Sequence, residues 1–266
     1  MNSIKSIASR RKKFSDKNLK QLNLIAAGLL AIQALVIIII SSSSAGLRPI
    51  TISFLTTDQL ASRVSSSSVL ASATHRIFDL NLAYVVAAFM LVSALGCLLA
   101  VTRYRKVYQA DLKAGINRQR WISFSVTGSL MMVAIAMVVG VFDLSTLLLI
   151  AGLTALAGLL GLLLEVVKPA NWLNYWFGLG AAVLPWVVLV IYLWGSHVYG
   201  SPLPAYIYWV FITMLLLFAS IIINNGFQRQ KIGHWENYLF GEKMFIILSL
   251  VAQSALAWQI FAGTLH

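Results

Sequence analysis

Few residues in this chain have the type and spacing that chemistry requires. His75, His197, His234 and His266 are scattered, and no two stand at a metal-ligand spacing. The chain contains no Gly-x-Ser-x-Gly elbow, no phosphate-cradling glycine loop and no pair of interior carboxylates. Asp143 and Glu165 fall at the ends of apolar stretches, where a carboxylate is cheap to keep. Cys97 is the single cysteine and lies in an apolar run, so no intrachain disulfide can form; it reads as a small buried hydrophobe. Nothing in this set asks for an enzyme, a catalytic residue or a metal.

The polar side chains inside the apolar stretches are more informative, because a hydrocarbon interior tolerates few of them. In Arg120-Trp-Ile-Ser-Phe-Ser-Val-Thr-Gly-Ser129, Ser125 and Ser129 share a helical face at i, i+4, with Ser123 and Thr127 on a neighbouring one. Such rows usually let two helices pack closely, with the hydroxyls bonded back to their own backbone. Ser249, Gln253 and Ala257 form a second row. Gln253 needs a hydrogen-bond partner, and Gln33 or a serine of the 120–129 stretch could supply one. Trp186 follows Pro185 in mid-stretch, where a ring could wall a cavity. Most other aromatic residues, among them Trp172, Trp194 and Trp209, gather near stretch ends as an interfacial belt does. No ionisable group is expected along the interior.

The elements that must position these groups follow from composition. Of 266 residues, 59% are hydrophobic and 11% charged, against about 25% charged in soluble domains. The charge-free gaps each hold a helix of about 20 residues, the length that crosses roughly 30 Å of hydrocarbon. The longest holds two, divided by a turn-rich break over 195–204. Seven spans are predicted: Gln21–Ser41, Phe78–Thr102, Trp121–Val141, Leu144–Leu164, Trp172–Trp194, Ala205–Gly226 and Phe240–Thr264. Backbone hydrogen bonding in lipid requires helices, and the long unbroken runs do not alternate as barrel strands do.

The net charge is +12, yet its placement points to a membrane and away from nucleic acid. With the N-terminus inside, 17 of the 20 Lys and Arg residues lie in inner segments. That predicts a multi-pass protein of the cell membrane, N-terminus inside and C-terminus outside. Residues 1–20 form a basic lead-in expected to lie on anionic headgroups; at about 20 residues, the apolar stretch that follows is too long for a signal h-region of about 7 to 15. Residues 41–77 form the only long outer loop, and Pro49–Thr56 has the alternation of a strand. No fixed-period repeat occurs, which leaves an inverted-repeat transporter with little support. The fold class is thus an all-α integral membrane protein: one domain over 1–266, a seven-transmembrane-helix bundle with a short β-containing extracellular loop between helices 1 and 2.

Several stretches resemble the heliorhodopsins, the inverted-topology branch of the microbial rhodopsins. They are Asn117-Arg-Gln-Arg-Trp-Ile-Ser-Phe-Ser, His75-Arg-Ile-Phe-Asp-Leu-Asn-Leu, Gly180–Trp186, Gly241-Glu-Lys, and Leu248-Ser-Leu-Val-Ala-Gln-Ser-Ala-Leu-Ala-Trp-Gln. The resemblance extends over nearly the whole chain and implies a rhodopsin-like bundle with the N-terminus inside. It places the family's Schiff-base lysine at Gln253 and its counterion glutamate at Ser123. Two interior histidines of the family fall at Ala31 and Cys97. An amide cannot form an imine, and losing lysine and glutamate together avoids stranding either charge in the interior. Lys243, ten residues earlier on the same helix, lies about 15 Å of rise away. By the family pattern and helical spacing, the former retinal cavity is lined by Trp121, Ser125, Met132, Trp186, Ser249 and Gln253.

The expected function is that of a retinal-free, light-independent binding or signalling module, with no covalent cofactor. Its expected partners are the lipid bilayer, a second copy in a homodimer with the 41–77 loop draped over its mate, and a lipid-like ligand or a cytoplasmic or membrane protein; nucleic acid is not among them. The alternatives are non-covalent retinal binding and small-molecule or ion transport.

Overall fold

The computed structural model describes residues 16–41, 46–65, 68–167 and 172–265. Most of the basic lead-in, parts of both serine runs and His266 lie outside them. The elements are α1 (Asp16–Ile40), β1 (Leu47–Thr57), a short α2 (Gln59–Ser65), β2 (Leu70–Asn81), α3 (Leu82–Val101), α4 (Arg105–Lys113), α5 (Arg118–Val139), α6 (Leu144–Val166), α7 (Trp172–Tyr199), α8 (Ala205–Gln230) and α9 (Tyr238–Ile260). A 3-10 turn covers Gly233–Glu236, and a π turn, Phe261–Leu265, closes the chain. Seven helices are long and apolar enough to cross a membrane: α1, α3 and α5 to α9.

Several boundaries differ from the predicted ones. The break after the fifth span is confined to 200–204, because α7 continues through Gly195 to Tyr199. Phe78 lies in β2 and not in a span; α3 begins at Leu82, where Asn81 Oδ1 accepts from the Ala83 N–H at 2.9 Å. α5 begins at Arg118, capped by Asn117, and ends at Gly140, whose φ of 105° suits a residue without Cβ. Asp143 caps α6 by accepting from the Thr146 N–H.

β1 and β2 form an antiparallel hairpin, with Ile52 opposite His75 and an irregularity between Ile50 and Thr51. The hairpin is tied to the bundle where the Thr51 N–H donates to the Phe142 carbonyl at 2.9 Å. It therefore marks one end of the bundle; α4 and the 231–237 turn mark the other, basic end.

The bundle is a ring. α1 packs on α3, α3 on α5, α5 on α6, α6 on α7, α8 on α9, and α9 back on α1. α7 and α8 approach each other at few points, so a seam runs between them. Trp186 bridges it edge-on, 5.6 Å from the Phe211 ring and 5.5 Å from that of Phe218. α5 is the most buried of the seven helices. The hairpin half of the interior is solid with apolar side chains, including Ile37, Phe89, Met90, Met132, Ile135, Leu256 and Ile260, all at most 1% exposed. Outward faces are apolar too: Ile39, Leu149 and Trp209 are exposed, as expected where the surrounding solvent is hydrocarbon.

Candidate functional site: two cavities beside a buried ion cluster

Two cavities occupy the basic half of the bundle. The first, of about 80 Å³, lies among α1, α3, α5 and α9. Ser123, Ser249, Gln253 and Cys97 all line it, together with Asn23, Ser93 and Thr127. Gln253 is buried, and its Nε2 donates to Ser93 Oγ at 3.0 Å. The partner is thus a serine of α3, and not Gln33 or a serine of α5 as predicted; Gln33 instead accepts from Trp258 Nε1 at 2.9 Å. Gln253 Oε1 and Thr127 Oγ1 are buried without a protein partner. With these polar atoms on an otherwise apolar wall, the space is large enough to hold water. α3 reaches α5 closely here because Gly96 leaves room for Ser123: a Cβ on Gly96 would come within 2.2 Å of the Ser123 hydroxyl.

The second cavity, of about 630 Å³, lies among α5, α6, α7 and α8. Trp121, Met132 and Trp186 line this one. The predicted wall therefore divides between two spaces, because the rings of Phe124 and Phe218, 6.3 Å apart, stand on the boundary and line both. Ser125 lines neither. Its hydroxyl donates to the Trp121 carbonyl at 2.9 Å, and it packs against Gly158 of α6. Ser129 donates to the carbonyls of Ser125 and, across the contact, of Ala151. That row therefore serves helix packing. Ala31 packs partly buried against the apolar core and is on neither wall.

The expectation of an interior free of ionisable groups is wrong. Arg120 on α5 is 4% exposed and Glu242 on α9 1%. Arg120 Nη1 donates to Glu242 Oε1 at 2.5 Å and to Gln228 Oε1 at 2.9 Å, and Nη2 is paired with Glu165 of α6. Asn117 Nδ2 donates to Glu242 Oε2 at 2.5 Å, and the Asn117 N–H donates to Glu165 Oε2 at 2.8 Å. Gln228 Nε2 donates to Glu242 Oε1 at 3.1 Å and to the Tyr238 carbonyl at 2.9 Å. The guanidinium also lies 4.6 Å from the Trp121 ring centroid and 5.2 Å from that of Phe245. One cation and two carboxylates thus join α5, α6 and α9, with Gln228 of α8 completing the knot. Sequence reasoning missed it because the charges themselves were used to mark where apolar spans stop. The helices carry Arg120 and Glu165 just beyond those marks, and Glu242, within the predicted seventh span, was given no role, so these charges lie inside the fold. Arg120 walls both cavities.

Below this knot, Tyr108 of α4 closes the basic end of the first cavity. Asn23 Nδ2 donates to the Leu19 carbonyl at 2.9 Å and reaches Tyr108 Oη at 3.5 Å. Burial, and secondarily the Glu242 carboxylate, push the Tyr108 phenol above its ordinary range, so it stays protonated.

No group of three or more His, Cys, Asp or Glu is arranged to hold a metal among the described residues. Among the described residues neither cavity has a lysine in its membrane-embedded wall; Lys113 and Lys231 border the second one at the basic end, where α4 and α8 finish.

Seven apolar helices in a ring define a multi-pass membrane protein of the rhodopsin-like seven-helix class. The family model for heliorhodopsin matches residues 19–265, and the chain belongs to the heliorhodopsin family. No curated protein matches it.

Proposed function

We propose that this chain is a retinal-free heliorhodopsin-family member that acts independently of light, as a binding or signalling module and neither a pump nor an enzyme. The observation that carries the reading is Gln253: a buried amide, bonded to Ser93, in a cavity of about 80 Å³ with no lysine on its wall among the described residues. The residues present do not fit a covalently held retinal. An amide nitrogen is not nucleophilic and cannot form the imine. Ser123 stands where the family resemblance puts the counterion, on the same wall as Gln253. No imine and no counterion is the electrostatically matched pair of losses.

Two further arguments favour binding over transport. Beyond Gln253 towards the hairpin the buried core is mostly apolar, and the polar pair there, Gln259 donating to Thr213 Oγ1 at 3.2 Å, ties α9 to α8. The Arg120, Glu165 and Glu242 charges are tied to one another across three helices, which suits a clamp better than a path. In this reading the basic end faces the cytoplasm, as the charge distribution predicts, and the hairpin lies outside. The hairpin presents Phe54, Leu55 and Leu70 to the surroundings, and a homodimer would cover them.

The test is the absorbance spectrum of the purified protein after adding all-trans retinal. No band beyond that of free retinal is expected. A visible band would overturn the reading, and a bound but unshifted chromophore would favour a photoreceptor that holds retinal without a covalent bond.

A further inference from the structure

We propose that the second cavity is a site for a single-chain anionic amphiphile of the lysophosphatidic acid type. Its acyl chain would lie among Trp121, Phe124, Met132, Trp186 and Phe218, and its head at the basic mouth. The inference deepens the binding-module reading and rests on it.

The cavity has two chemically different ends. Its deep part is walled by aromatic and aliphatic side chains, where burial of each methylene of an acyl chain is favourable. Its mouth lies where α4, α8 and the 231–237 turn converge, bordered by Lys113, Arg229 and Lys231. Among the described residues of the wall, four cations face two carboxylates, Glu165 and Glu236. Arg120 is shared between Glu165 and the adjoining Glu242, so that cluster carries one net negative charge and draws no anion itself. At the mouth itself, among the described residues, Lys113, Arg229 and Lys231 stand with Glu236, and the field there favours an anion.

Two further features narrow the ligand. At about 630 Å³ the space falls in the range of small-molecule sites and is several times larger than its neighbour. It is bounded by α7 and α8, which are held apart except around the Trp186 bridge, and an elongated chain suits that shape. Asn225, one helical turn before Arg229, lines the wall, and its Oδ1 is buried without a partner. A buried acceptor needs a donor. A glycerol hydroxyl supplies one, whereas an ionised fatty acid cannot. A phosphate for the cations, a hydroxyl for Asn225 and one acyl chain for the aromatic depth together describe a lysophosphatidic acid.

The full-length protein in mild detergent would be titrated with 1-palmitoyl lysophosphatidic acid, and adducts counted by native mass spectrometry. Monopalmitoylglycerol, which has the hydroxyls without the charge, and palmitate, which has the charge without the hydroxyl, serve as parallel probes. One saturable lysophosphatidic acid adduct is expected, held more than tenfold tighter than either probe. Lys113→Glu with Lys231→Asn, both at exposed positions, should abolish that preference and leave monopalmitoylglycerol unchanged; asparagine also tolerates the positive φ at 231. Ala182→Trp, which fills the cavity, should remove all three adducts while the thermal transition confirms folding. Equal binding of the three probes, or a preference that survives the mouth substitutions, would overturn the proposal. Displacement of the lipid by retinal with a visible band would instead overturn the light-independent reading, leaving the cavity assignment standing.

Discussion

At the scale of single residues, Arg120 has the most to lose. It is buried between two carboxylates that would otherwise face each other. Removing one partner of a buried pair typically costs about 3–5 kcal/mol, because the remaining charge is left uncompensated. Arg120→Gln should therefore lower the thermal transition in detergent sharply. Adding Glu242→Gln should restore part of that loss, since an amide keeps hydrogen-bonding capacity without the charge. If the single variant melted like the native protein, the cluster would not be the clamp described above. Gln253 is the opposite case: a neutral side chain with a neutral partner, whose two ends were legible in the sequence only as the need for some hydrogen bond.

At the scale of elements, close packing of α5 on α6 depends on glycines opposite large side chains. A Cβ at Gly161 would lie 2.2 Å from the Trp121 ring, and one at Gly158 would lie 2.3 Å from the Ser125 hydroxyl. Overpacking of this kind costs about 1–3 kcal/mol. Gly161→Val should lower the melting temperature, and Trp121→Leu in the same chain should recover most of the loss, as measured by circular dichroism melts. Failure of that rescue would mean that the strain arises elsewhere. The serine row of α5 was readable in the sequence in both ways, as wall or as packing. Only the position of α6 decides for packing, because helical spacing says which residues share a face but not what that face meets.

At the scale of the whole molecule, the hairpin is the surface left to be covered. Leu55 is 66% exposed and Val64 86%, and this part of the chain projects beyond the helical ring. Phe54→Lys with Leu55→Lys should convert the proposed dimer to a monomer by light scattering in mild detergent, with helical content unchanged. A native protein that is monomeric under those conditions would remove the dimer from the reading. Seven spans, the charge asymmetry between the inner and outer segments, one strand of the hairpin and the family resemblance were all fixed by local sequence. They depend on the length of apolar runs and on residue types, which need no knowledge of neighbours. What the sequence could not decide is which distant residues meet. The two phenyl rings that divide the cavity, Ser93 as the partner of Gln253, and the Arg120 knot join residues up to 160 positions apart. Charges look solvated in a sequence when they border an apolar run. Only the packed bundle decides whether another helix covers them, and here α6 and α9 do.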